Sequence, residues 1–454
     1  MALIELDLTD QPDPALSSPP PAHRYRIPGL LVAAVLVLVA GGGAPAMPTL
    51  WRYLGVVPAA PDPELRFQLT GGRAYTMTAT GTAREVTSWT LTEPPRQVWR
   101  TRYELPAEDP DAVGYGGTDA RQTGDVLLVS DGPATTVLDA HSGVTRWSAP
   151  MPVVPMTGGR LGLVQEPRFR PGTVYDQDSG EPGTLYFTAG GEPHVEPPTR
   201  TDIRAVDLYT GVTVWTVSVA GSVIADAAPG DGPAVLLLSS AGMQRLDGRT
   251  GKVVRRIALP RLDGRAPQSG ELIGDVMMIY YYNPHGYVTD EVAYAPDTLA
   301  RRWTRPVPEV LVQRAVCAGL LCSESQAALD VLDPATGRPS WRAPAGVDLT
   351  RHGGYVLETG SKSGEPVRLV DAATGQTRVD LSGWPSDVAG AAEEPIVLRR
   401  GLDGGSSAFG VVDAGRDEVQ PLGVTGGVVS DCTSDSRHVL CRTENGLRAW
   451  AYRL

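Results

Sequence analysis

Five stretches of eleven residues place an aspartate where it could do chemistry: VLDAHSGVTRW (137–147), AVDLYTGVTVW (205–215), RLDGRTGKVVR (245–255), VLDPATGRPSW (331–341) and LVDAATGQTRV (369–379). In each, Ser or Thr and then Gly follow the Asp by three and four residues. The position eight after the Asp is Trp in three of the five. A carboxylate with a hydroxyl and a glycine beside it can hold a cation, open a cofactor cradle, or cap a tight turn. The last use needs only that Asp accept from the backbone amides of the turn and that Gly take the positive-φ position other residues resist. Asp139, Asp207, Asp247, Asp333 and Asp371 occupy matching places, so they cannot all serve one central site. With Gly143, Gly211, Gly251, Gly337 and Gly375 they read as structural turns. Asp176-Gln177-Asp178-Ser179-Gly180 resembles the opening of a calcium loop. It lacks the third ligand and the distal Glu in register, and reads as a surface turn.

Other reactive residues are sparse. The six histidines (23, 141, 194, 285, 352, 438) have no ligand-pair spacing, and no GxSxG nucleophile elbow occurs. GLDGGSS (401–407) neither follows a buried strand nor opens a helix, so a phosphate role is not expected. The four cysteines lie in VCAGLLC and DCTSDSRHVLC, as Cys317, Cys322, Cys432 and Cys441. Each stretch reads as two short strands around a turn with one Cys on each. Local bridges 317–322 and 432–441 are the economical choice among three connectivities. Gaps of four and eight residues without a nearby His fit zinc poorly.

Composition narrows the class. The 454 residues are 42% hydrophobic, and 52 Gly with 40 Pro suit a turn-rich all-β protein. A net charge of −12 argues against nucleic acid, whose phosphates require clustered positive charge. Residues 1–26 are a polar, Pro-rich tail ending in His23-Arg24-Tyr25-Arg26. Ile27 to Met47 carries no charge, and Leu30–Ala40 is continuously apolar. The segment is read as an uncleaved transmembrane helix, N-terminus inside, with a signal cut near Ala44-Pro45-Ala46 as the alternative. A Pro-spaced linker is expected at 48–64 and an exported domain at 65–454. Disulfides suit that compartment.

The aspartate stretches belong to a repeat. Degenerate copies stand at WTLTEPPRQVW (89–99), AYAPDTLARRW (293–303) and VVDAGRDEVQP (411–421), and the terminal LRAWAYRL suggests a truncated one. The flanks alternate apolar and polar as half-buried strands do, and another strand pair precedes each copy. The unit is a four-stranded antiparallel sheet of roughly 40–50 residues, the period of a propeller blade. The fold expected is all-β: an eight-bladed β-propeller, with seven as the alternative. Trp99, Trp147, Trp215, Trp303 and Trp341 are expected to pack between blades. The terminal strands are expected to close the ring beside residues 65–80.

The line "xLDxxTGxxxW" resembles the repeat of the pyrroloquinoline-quinone-like propeller family. With the apolar segment, the chain is similar to the single-pass exported propellers common in actinobacteria. That family holds quinoprotein alcohol dehydrogenases and the non-catalytic propeller lipoprotein of the outer-membrane β-barrel assembly machinery, so the resemblance implies a fold and leaves activity open. Its enzymes hold the quinone with calcium through Glu, Asn and Asp, and many stack it on a disulfide between adjacent cysteines. This chain has no adjacent cysteines and only two Asn, Asn283 and Asn445, both in turn-like contexts.

The non-repeating part stands out. Residues 165–200 are inserted into the third repeat and bring Arg168, Phe169, Arg170, Tyr175, Tyr186, Phe187 and His194 into a chain poor in aromatics. Arg and aromatics are favoured at interfaces, so Arg168, Phe169, Arg170, Tyr186 and His194 are the candidate binding residues, with a blade-covering hairpin as the plainer use. YYYN (280–283) is a second patch, or a packed strand end. The expectation is a non-catalytic, membrane-anchored binding or scaffold module with an envelope protein partner and no cofactor. The alternatives are a quinone- and calcium-dependent dehydrogenase, and an envelope sensor whose cytoplasmic tail docks a partner.

Overall fold

In the computed structural model the described residues are 51–59, 64–105, 118–132, 134–169, 198–239, 241–283, 285, 287–307, 316–324 and 328–453, with the backbone of three short strands between 173 and 194. The expected tail and apolar segment lie outside them. No helix among the described residues is long and apolar enough to cross a membrane.

Alternating side chains, with a positive-φ glycine ending many strands, fold each repeat into an antiparallel meander. The second blade shows the pattern from the inside outward: Thr118–Thr123, Val126–Asp131, Ala134–Asp139 and Thr145–Ala149. Among the described residues the strands form nine such blades and one small sheet inside the insertion. Blades 1 to 8 run from Arg66 to Thr425 in chain order. Blade 9 takes three strands from the C-terminus, Ser430–Ser434, His438–Thr443 and Gly446–Tyr452. Its outer strand, Trp51–Val57, comes from the N-terminus. The inner strand of blade 9 adjoins those of blades 8 and 1, which closes the ring.

Two expectations are thereby corrected. The ring has nine blades instead of eight, because LRAWAYRL is a third strand completed from elsewhere. Trp51–Val57 falls within the expected linker 48–64, yet it is a paired outer strand of blade 9; the terminal strands do close the ring beside residues 65–80, with Ser430–Ser434 next to Arg66–Thr70.

One joint holds most neighbours together. Trp99, Trp147, Trp215, Trp303 and Trp341 each sit at a bulge in the outer strand of blades 1, 2, 3, 5 and 6. Each indole Nε1–H donates to a carbonyl in the next blade's turn: Ala140 (3.0 Å), Leu208 (2.9 Å), Gly248 (2.8 Å), Pro334 (3.1 Å) and Ala372 (3.0 Å). The ring then lies flat against that turn's glycine. A Cβ added to Gly143, Gly211, Gly251, Gly337 or Gly375 would come within 2.5 to 2.8 Å of an indole carbon. The glycine is thus required twice, for its positive φ and for the close approach.

At the closure the sizes are exchanged. In blade 9 the Trp position is Gly55, opposite Ala449, and it receives Pro95 and Pro94 of blade 1. In blade 8 it is Gly423, opposite Phe409, and it receives the indole of Trp51. Trp51 also stacks on Phe409 and Trp450, with centroids at 5.1 and 5.6 Å. Large still meets small at both joints.

Blade 6 departs from the pattern. Among the described residues it has three strands, and Cys317–Ala318, where its inner strand belongs, pairs in parallel with the inner strand of blade 7. The Cys317–Cys322 disulfide joins that segment to Cys322–Glu324 of blade 6. Cys432 and Cys441 form the second bridge, across directly paired strands of blade 9.

The joint can be tested by comparing two glycines of similar φ, Gly251 (+69°) and Gly72 (+72°), the latter with nothing within 4 Å of an added Cβ. Both Ala variants incur about 1–2 kcal/mol of backbone strain. Gly251→Ala should lose more in urea unfolding because it also displaces Trp215, whose own truncation should cost about 3–5 kcal/mol. Equal losses at the two glycines would contradict the joint.

Candidate functional site

The meander gives the ring two unlike ends. Turns between the third and fourth strands, and between the first and second, lie at one end (the turn end). Connections between the second and third strands, and from blade to blade, lie at the other (the loop end).

Hydrogen bonding within the repeats occupies the turn end. The Asp139 Oδ1 accepts from the His141 and Ser142 amides at 3.1 and 2.8 Å, and from the Ser142 hydroxyl at 2.8 Å. Asp207, Asp247 and Asp371 repeat this arrangement, and Asp333 accepts from the Ala335 amide and the Thr336 hydroxyl. In all five turns the glycine amide donates to the Asp carbonyl at 2.8 Å. These carboxyls are spent on their own turns, at separate places around the ring. The bonds hold them below the usual carboxylate range. The Thr250 hydroxyl does most at Asp247, the Ala335 amide at Asp333 and the Thr374 hydroxyl at Asp371. At Asp139 and Asp207 partial desolvation is the largest influence and pushes upward, but the Arg146 and Ser142 bonds and the Thr210 bonds outweigh it.

Length variation concentrates at the loop end. The four longest connections between blade strands, 105–117, 169–199, 258–268 and 307–316, all leave from it. The insertion departs from Arg168 and returns at Arg200, paired residues of blade 3. Its small sheet puts Tyr175, Tyr186 and His194 in lateral register on three successive strands.

Beneath these connections, Arg–carboxylate pairs tie strands within blades and, in one case, one blade to the next. The Arg84–Asp131 pair is buried and joins blades 1 and 2. Glu358, fully buried, accepts two bonds from Arg368 at 2.8 and 3.0 Å. Glu291 pairs with Arg305 at 2.5 Å. Below the insertion, Glu166 meets Arg168 at 2.6 Å and Arg204 at 3.1 Å, and Asp202 meets Arg200 and Arg168 at 3.1 and 3.3 Å. A bond from Ser218 chiefly lowers the pKa of Asp202.

The candidate residues therefore separate. Arg168 is neutralised by Glu166 and Asp202 and supports the insertion's base, which its sequence position did not reveal. Phe169 is half-buried beside it. Arg170 and the calcium-like stretch 176–180 lie outside the described residues, and Tyr186 and His194 are described by backbone register alone. The tyrosine run is a packed strand. Tyr281 is fully buried, and its hydroxyl donates to the Pro260 carbonyl at 2.8 Å; Tyr280 bonds Glu271, and Tyr282 bonds Ser269. Asn283 closes a turn by accepting from the His285 and Tyr287 amides at 2.9 and 3.1 Å.

On the inner strands Asp226 is pushed up by burial and by Glu271 on the neighbouring blade. His352 is pushed down by burial, opposed by Asp387. Among the described residues, no group of three or more His, Cys, Asp or Glu is placed to hold a metal ion.

No family model matches the sequence, and no curated protein matches it. Among solved structures the chain is similar to BamB from Moraxella catarrhalis, at 13% identity over 89% of this chain and 98% of that one, with a TM-score of 0.37. It is similar to the dihydro-heme d1 dehydrogenase NirN, at 15% identity over 87% and 85%, with a TM-score of 0.44. A europium-containing methanol dehydrogenase shares 11% identity over 86% and 84%, with a TM-score of 0.34. The likeness is one of fold.

The turn aspartates give the ring an acid limit. Each has a folded pKa below its unfolded value of about 3.9, so its stabilisation is complete above that value and is lost as pH falls through the folded one. The urea midpoint should fall steeply below about pH 4, and buried His352 adds a loss that begins as pH drops through the ordinary histidine range. A midpoint that rises on acidification would contradict this account.

Proposed function

We propose that the chain is a non-catalytic, membrane-anchored propeller, exported across the membrane, that serves as a binding or scaffold module for a protein partner of the cell envelope. The observation that supports this reading is the asymmetry of the ring. One end is occupied by its own repeating turns, while the four longest connections leave from the other, where Arg–carboxylate pairs brace the strands. Such pairs hold register and geometry more than they add stability. A braced rim under non-repeating loops suits presentation of a surface.

The chain enters blade 9 at Trp51, opposite Tyr452, at the turn end.

Deleting 170–197 while keeping Arg168 and Arg200 paired should leave the free energy of unfolding unchanged within about 1 kcal/mol. It should also abolish the partner crosslinked to the full chain in the native envelope. Unchanged capture by a folded deletion variant would overturn the loop-end reading. Stoichiometric uptake of pyrroloquinoline quinone with calcium, accompanied by dye reduction, would overturn the non-catalytic one.

A further inference from the structure

A second surface lies on the outside of blade 4. Its outer strand, Val253–Ile257, occupies the place where five other blades pack a tryptophan, but here the Trp position is Arg255, opposite Arg245. The next blade has a matching change. Its turn carries Leu299 where five other blades carry glycine, at φ 56°, and this leucine is only 2% exposed. Leu299 joins the cluster between blades 4 and 5, and of the outer strand of blade 4 only Ile257, at its end, packs against that cluster among the described residues. Its first four residues are all exposed, Val253 by 46% and Val254 by 54%. Every other outer strand but that of blade 2 buries at least one residue at or beside the Trp position, and blade 2 half-buries Trp147 there.

The strand is also cationic in a strongly acidic protein. Lys252, Arg255 and Arg256 make no ion pair among the described residues. Arg256 gives one bond, to Gln244 Oε1 at 3.1 Å. Other outer strands pair an arginine with a carboxylate of the adjacent strand, as Arg100 has Glu85 and Arg342 has Asp330. The strand's outer backbone edge is unpaired, since it ends its sheet. An open edge, two exposed valines and uncompensated cations fit one kind of occupant, an extended segment with alternating apolar and acidic residues. We propose that Val253–Ile257 is a docking edge to which an acidic, extended segment of a protein partner adds as a fifth strand. This site is separate from the loop end, and failure of either leaves the other standing.

The test uses the full chain and a labelled peptide, Val-Glu-Val-Glu-Val-Glu-Val, read by fluorescence anisotropy at about 0.15 M salt. The peptide should bind, and a version with proline in place of valine, equal in charge but unable to pair along the edge, should bind at least about tenfold more weakly. Arg255→Glu with Arg256→Glu should weaken binding on the order of tenfold. Arg100→Glu with Arg102→Glu, the same charge change on the outer strand of blade 1, should leave it unchanged. Circular dichroism confirms that both variants fold. Absent binding, equal binding of the proline peptide, or equal loss in the two charge reversals would each overturn the proposal.

Discussion

The ring depends on the contact between an indole face and a bare glycine in the next blade's turn. A blade on its own is a four-stranded sheet with two faces to bury, and only a neighbour on each side can bury them. Trp on Gly does this with little volume to spare, and the indole N–H fixes the sheets' relative rotation by finding a turn carbonyl. The turn Asp serves the same contact one step removed. By holding the turn amides it presents the glycine and the carbonyl in the geometry the indole requires.

What varies around the ring is easiest to understand as departures from that contact. At the closure the large and small partners change sides, with Gly55 under the prolines of blade 1 and Gly423 under Trp51. Between blades 4 and 5, Leu299 joins the shared cluster and the first four residues of the outer strand are released to solvent. Between blades 7 and 8, Val379 stands in the Trp position and the next turn carries Asp417 at positive φ instead of glycine. The loop end does not carry this contact. Ion pairs take over there, and length can be added to the connections without disturbing a joint.

Much of the fold was legible because the joint is written locally. Asp, Gly and Trp fall within one eleven-residue line, so the repeat and the blade were evident from spacing. The ninth blade was not, because its fourth strand lies some four hundred residues away in sequence and its joints carry glycine where the line leads one to look for tryptophan. Trp51 looked like part of a linker since the residues after it are rich in proline. Arg168 looked available because Glu166 is two residues away and Asp202 is thirty-four, and no local pattern shows that all three meet. The exposed strand of blade 4 was visible only as a missing Trp in RLDGRTGKVVR. Its meaning required knowing which neighbour the Trp would have covered.

Closure of the ring by Trp51–Val57 is the claim on which the blade count and the entry point of the chain both rest. Arg52 stands directly opposite Ala451 across the two terminal strands. Cysteines placed at these two positions in the full chain, oxidised under native conditions and mapped by mass spectrometry after proteolysis without reduction, test it directly. Closure as described yields an intramolecular 52–451 bridge in the folded monomer, with 317–322 and 432–441 intact. Free thiols at both engineered positions, in protein that is folded by circular dichroism, would contradict the nine-bladed ring.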